Sequence, residues 1–180
     1  QDIVMITVSR LVIKNGVDDL VRALAFLPSR YKVLIAGEGE ERGKIEKIIE
    51  ELNLKDRVQL LGNRDQRELP KMLQSADLFC RPSLSEGLGI SFLEAMAAGI
   101  PVIAPPVGGI PDFLQDGETG LFCESRHPES IAKAALRLTE DAHLRSKLIQ
   151  QAQQMMREVY TWDQIAPKIG ALLERLDSRI

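Results

Sequence analysis

Residues 77–104 read DLFCRPSLSEGLGISFLEAMAAGIPVIA. Residues 77–80 read as a short strand halted at Pro82, which lacks the N–H that a strand ladder needs. Residues 89–98 carry Phe92, Leu93, Ala95 and Met96 among good helix formers, and Gly99 is placed to cap the helix C-terminus. Residues 101–104 form a second apolar run, broken by Pro105-Pro106. Strand, helix and strand in so short a span predict a parallel pair joined by a crossover helix.

The same alternation extends toward the N-terminus. Residues 3–8 (IVMITV), 33–36 and 57–61 read as strands. Residues 17–27 place Val17, Leu20, Val21, Leu24 and Leu27 at helical spacing, and residues 42–52 do the same with Ile45, Ile48, Ile49 and Leu52. Residues 68–74 suit a short helix. Five strands in all are expected. They lack polar alternation, as strands buried on both faces do. The fold class is therefore α/β, a Rossmann-like doubly wound parallel sheet, with ligands expected at the carboxyl ends of the strands. Those ends hold Ser9-Arg10, Gly37-Glu38-Gly39, Gly62-Asn63-Arg64, Pro82 to Gly89 and Pro105 to Gly109. After Phe122 the pattern changes to consecutive helices at 128–138, 142–159 and 162–176. The expected organisation is one domain over residues 1–180, with a Rossmann-like core to about residue 125 and a helical annex beyond it.

Composition narrows the function. The chain is 44% hydrophobic and 27% charged, as ordinary globular proteins are, and its net charge of −3 gives no reason to expect nucleic acid as a partner. Cys80 and Cys123 lie in or beside apolar runs and read as buried free thiols. Two cysteines and the histidines His127 and His143 offer no metal-ligand spacing. No run reaches the ~20 apolar residues of a membrane span, and no signal peptide is visible. A strand pattern begins within two residues of Gln1, which suggests a piece of a longer protein. Met155-Met156 reads as core or interface, and Trp162 as a packing anchor rather than a sugar platform.

The richest segment for chemistry is Ser85 to Ala95. Gly87 and Gly89 open the helix, where glycine permits positive φ and close approach of a ligand. A helix N-terminus offers unpaired N–H groups and partial positive charge, so the turn suits a diphosphate. Glu86 precedes it and Glu94 follows eight residues on. Carboxylates accept well from paired sugar hydroxyls. Either glutamate alone reads as a surface charge, but Glu94 stands among Phe92, Leu93, Ala95 and Met96, where an unpaired carboxylate is costly. Arg10 ends a strand at the ligand edge, and its planar fork suits phosphate. There is no Asp-x-Asp pair, no dinucleotide-binding glycine fingerprint and no G-x-S-x-G elbow.

Taken together these residues resemble the retaining glycosyltransferases that include glycogen synthase, sucrose synthase and many mannosyltransferases, the group 1 glycosyl transferases. Glu86 to Glu94 resembles their motif of two glutamates separated by seven residues. Around it, Val8 to Leu11 with Gly16-Val17-Asp18, Ala36 to Gly39, Ala76 to Phe79, Pro82-Ser83, Ala95 to Val102, Gly108 to Pro111, Asp116 to Leu121 and Thr161-Trp162 are similar in the same order.

The resemblance implies the C-terminal lobe of a glycosyltransferase-B type fold. That lobe is the donor-binding half of an enzyme that passes a hexosyl unit from a UDP-, GDP- or ADP-sugar to an acceptor hydroxyl with retention. It implies that Arg10 meets the departing diphosphate and that Glu86 orients the donor sugar, the two being the catalytic candidates. Gly89, Ile90 and Ser91 would offer backbone N–H groups to the phosphates, with Gly87, Leu88, Lys14 and Asn15 also at the donor; Glu94 would meet the ribose, and Gly37, Arg64 and Leu69 would lie beside the base. No metal or other cofactor is implied. An N-terminal lobe lying outside this chain would bind a glycan, lipid or small-molecule acceptor, so the chain alone is expected to bind without turnover. The implied location is the cytoplasm, with peripheral membrane attachment through the parent protein as a variant.

One departure stands out. The family's usual lysine before the loop glycine is replaced by Asn15, with Lys14 beside it. Asparagine can hydrogen-bond a phosphate but cannot neutralise it, which raises the alternative of a non-catalytic nucleotide- or carbohydrate-binding module. Asp112 replaces a commoner glutamate.

Overall fold

In the computed structural model, residues 2–177 are described. Six strands stand among them: β1 (Ile3–Val8), β2 (Tyr31–Ala36), β3 (Val58–Gly62), β4 (Leu78–Cys80), β5 (Val102–Ala104) and β6 (Leu121–Phe122). They form one parallel sheet in the order β3-β2-β1-β4-β5-β6. The helices are α1 (Val17–Ala23), α2 (Arg42–Glu51), α3 (Leu69–Gln74), α4 (Ile90–Ala97), α5 (Pro128–Glu140), α6 (Ala142–Val159) and α7 (Trp162–Asp177).

Side chains alternate between the two faces of a strand, and both faces here are covered. Met5, Val33, Ile35, Leu78, Cys80 and Ile103 share one core with the buried residues of α1, α2 and α5. Ile6, Phe79, Val102 and Ala104 share the other with Leu73 of α3, Phe92 and Met96 of α4, and Ala152 and Met156 of α6. Burial on both sides is why β4 and β5 are apolar at every position. Two of the C-terminal helices are layers of this structure, since α5 packs on α1 and α6 on α4.

Two expectations need correction. The sheet has six strands rather than five. β6 is two residues long and is held by pairing Leu121 with Ile103 and Phe122 with Ala104, too short for any period to show. The expected helix at 17–27 changes geometry at Leu24, where a 3-10 turn over Leu24–Phe26 takes over. Leu24 and Leu27 remain buried, so the apolar spacing was informative even though the helix type changed.

Cys80 and Cys123 are buried and unpaired. Burial pushes the Cys80 thiol well up and that of Cys123 up to about 12, so neither is a nucleophile near neutrality. Among the described residues no helix is long and apolar enough to cross a membrane. α7 carries Pro167 within it and leaves Ile169, Leu172 and Leu173 exposed. Trp162, at its start, is 76% exposed, so it does not anchor packing among the described residues.

Candidate functional site

In this strand order the connections reverse direction between β1 and β4. The loops leaving those two strands therefore diverge and open a crevice at the carboxyl edge of the sheet. The crevice is a cleft of about 500 Å³. From the β1 loop come Arg10, Lys14 and Asn15, and from the β4 loop come Arg81, Glu86, Leu88, Gly89 and Ile90.

The β1 loop is tied down by Asn15. Its side chain is only 6% exposed, and its Nδ2 donates to the Arg10 carbonyl at 2.7 Å. The Asn15 amide thus braces the loop, while Lys14 beside it is exposed. Arg10 is exposed as well. Among the described residues neither cation is ion-paired, leaving two free positive charges at the cleft in a chain whose net charge is −3.

Across the cleft stands the N-terminus of α4. Its cap is Gly89 at φ 65°, a left-handed conformation that glycine adopts without strain. A Cβ there would lie 2.6 Å from the Phe92 ring and 2.9 Å from Arg81 Nη2. The Phe92 N–H donates to the Gly89 carbonyl at 2.9 Å. The earlier N–H groups of the helix have no carbonyl one turn back, and they supply the anion-binding end of the cleft. Gly87 differs from the expectation: it is not at positive φ, and its surroundings are open.

Glu86 is held from several sides. Its carboxylate pairs with Arg81, their side chains being 11% and 8% exposed. Its Oε1 accepts from the Gly87 N–H at 3.1 Å. Its carbonyl accepts from the Gly109 N–H at 3.2 Å, and the loop after β5 presses so close that a Cβ on Gly108 (φ 55°) would fall 1.9 Å from that oxygen. Gly108→Ala is therefore expected to displace the Glu86 peptide. Left-handed backbone alone costs a residue with a Cβ about 1–2 kcal/mol. Thermal melts should show the loss, and unchanged stability would mean that the two loops are not coupled.

Sequence reasoning overlooked Arg81. A usable signal was present, because Arg81 follows the wholly apolar β4 at the sheet edge as Arg10 follows β1. Burial pulls its guanidinium down from the usual value, and the neighbouring Glu86 carboxylate opposes that shift.

The expected base-binding residues do converge. Gly37, Arg64 and Leu69 line a hollow of about 170 Å³ with Ser9 and Arg10, so Arg10 belongs both to it and to the cleft. Leu69 also lines a hollow of about 330 Å³ that Glu94 borders. Glu94 lies half-buried on α4, outside the cleft itself, and also borders a third hollow of about 400 Å³ beside Met156 and Tyr160. The Ser91 hydroxyl accepts from Arg81 Nη1 at 2.8 Å, so that oxygen is engaged within the protein. Among the described residues no group of three or more His, Cys, Asp or Glu side chains could hold a metal ion.

The cleft with anion-binding groups on both walls, the hollow at Leu69 and the hollow bordered by Glu94 adjoin one another through the shared residues Arg10 and Leu69. The chain is 35% identical over 161 residues to an uncharacterised glycosyltransferase of Methanocaldococcus jannaschii, covering 88% of this chain and 41% of that protein. It is 32% identical over 184 residues to the GDP-mannose-dependent alpha-(1-6)-phosphatidylinositol monomannoside mannosyltransferase of Mycobacterium tuberculosis, covering 97% and 48%. The crystal structure of Anabaena HepE in complex with UDP and glucose superposes with a TM-score of 0.92 at 25% identity, covering 97% of this chain and 48% of that one. The chain thus spans less than half the length of these relatives. The sequence profile described as glycosyl transferases group 1 matches residues 1–155. This chain belongs to the group 1 glycosyl transferase family.

Proposed function

We propose that this chain is the donor-binding half of a retaining hexosyltransferase. The observation that carries the reading is the switch-point cleft itself, where Arg10 and Lys14, unpaired among the described residues, face the N-terminus of α4 and the Leu69 hollow adjoins. A nucleoside diphosphate sugar has the matching layout: a flat base, a ribose, two phosphates and a polyhydroxylated ring. HepE was crystallised with UDP and glucose, and the mycobacterial relative is GDP-mannose-dependent, so uridine and guanosine are the bases to test first.

As the glycosidic bond breaks, negative charge builds on the departing diphosphate. Arg10 and the α4 N-terminus face that charge, and the backbone N–H groups, fixed by the helix, are the preorganised part of that electrostatic role. Glu86 orients the sugar hydroxyls. Its carboxylate is already committed to Arg81, which suits an orienting group better than an attacking one. The reading assigns no covalent nucleophile and no metal, and gives the acceptor to a second lobe of the parent protein. The test is a product assay on the parent protein with UDP-glucose and GDP-mannose, followed by NMR of the new anomeric bond. Transfer with retained configuration is expected. Inversion would reject the mechanism, and no transfer or binding with either donor would reject the reading.

The second reading, a non-catalytic binding module, rests on Asn15. Because its amide braces Arg10 and Lys14 already supplies a cation nearby, Asn15→Lys is expected to change nucleotide affinity by less than about threefold. A new charge-assisted hydrogen bond would instead bring roughly one to two decades. A gain of that size, read by calorimetry, would favour the binding module.

A further inference from the structure

Arg81 makes four kinds of contact at once. Its Nη1 donates to the Ser91 hydroxyl at 2.8 Å and to the Val8 carbonyl at 3.3 Å. Its Nε donates to the Ser83 hydroxyl at 3.3 Å, and its Nη2 pairs with Glu86. The guanidinium carbon lies 4.3 Å from the centroid of the Phe92 ring. One side chain therefore joins the end of β1, the β4 loop and the first turn of α4. A buried ion pair is weak evidence for stability, because apolar residues of like volume often serve as well. What the planar fork provides that an apolar residue does not is fixed directions.

Resting on the donor-site reading above, we propose that Arg81 is a positioning residue: it holds the Glu86 carboxylate at a set place relative to the α4 N-terminus, so that recognition of the sugar stays in register with recognition of the diphosphate. Its effect then passes through Glu86 and falls on the sugar. The diphosphate keeps Arg10, Lys14 and the backbone N–H groups of α4 whether or not Arg81 is present. Lysine at this position can reach Glu86 but cannot span Val8, Ser83 and Ser91 together.

The test uses the full-length parent protein with Arg81→Met, Arg81→Lys, Glu86→Gln and the Arg81→Met/Glu86→Gln pair. The probes are UDP against UDP-glucose and GDP against GDP-mannose, with kcat, KM and melting temperature measured alongside. Arg81→Met is expected to weaken the nucleotide sugar roughly ten- to a hundredfold, the scale of a lost charge-assisted contact, while the free diphosphate changes by less than about threefold. Arg81→Lys should recover part of the loss. In the Glu86→Gln background the further penalty of Arg81→Met should shrink, which is the signature of action through Glu86. Equal losses for diphosphate and nucleotide sugar would overturn the proposal, and so would full additivity in the double variant. If the unmodified protein binds none of the four probes, the donor-site reading fails first and this proposal with it. Binding by the unmodified protein with non-selective losses in the variants rejects only the role of Arg81.

Discussion

Phe92→Ala is expected to destabilise the protein by about 3–5 kcal/mol, the range for truncating a buried phenylalanine. Phe92 is wholly buried in the core beneath α4. Its ring meets Phe79 edge-on, with centroids 5.4 Å apart and planes at 71°, and Phe113 at 5.7 Å and 39°. Such pairs add about 0.5–1.5 kcal/mol beyond the area they bury. The Arg81 guanidinium also lies over the ring, a cation–π contact whose value grows when it is desolvated. Truncation thus removes both the packing beneath α4 and the platform of the Arg81 cluster. Denaturant unfolding should show a lower midpoint at an unchanged slope. Phe26→Ala is the control, since that ring is 53% exposed and its loss should stay within about 0.5 kcal/mol. Similar losses for the two variants would contradict the packing described here.

A large loss of nucleotide affinity is expected from Arg10→Ala. Arg10 is exposed, unpaired among the described residues and shared by the cleft and the Leu69 hollow, which is where the proposed diphosphate site and its neighbouring hollow meet. Losing a charge-assisted hydrogen bond costs roughly 1.5–3 kcal/mol, about one to two decades in affinity. The salt dependence of binding should flatten too, because an exposed cation acts through a field that electrolyte screens. The melting temperature should hardly move. A destabilised variant with unaltered nucleotide affinity would make Arg10 a structural residue instead.

β1 has the expected bounds because six consecutive apolar or β-branched residues leave little alternative. α4 and Gly99 were legible because a strong helix former run and a C-cap glycine agree. β6 was not legible, since two residues held by β5 have no pattern of their own. Convergence of Gly37, Arg64 and Leu69 was expected only from the family resemblance, and their meeting with Arg10 follows from the strand order. Arg81 escaped notice because an arginine after a strand resembles any other surface cation until burial and partners are known. Trp162 illustrates the opposite limit: it reads in the sequence as a packing anchor, but the fold leaves it exposed.

The central claim is that the cleft between the β1 and β4 loops holds a nucleoside diphosphate. Calorimetric titration of the chain with UDP, GDP and ADP, beside Arg10→Ala and Glu94→Ala, tests it most directly. The account predicts micromolar to millimolar binding selective for one nucleotide, weakened in both variants, with Arg10→Ala the more severe. Failure of all three nucleotides to bind a demonstrably folded sample, or binding indifferent to both substitutions, would contradict it.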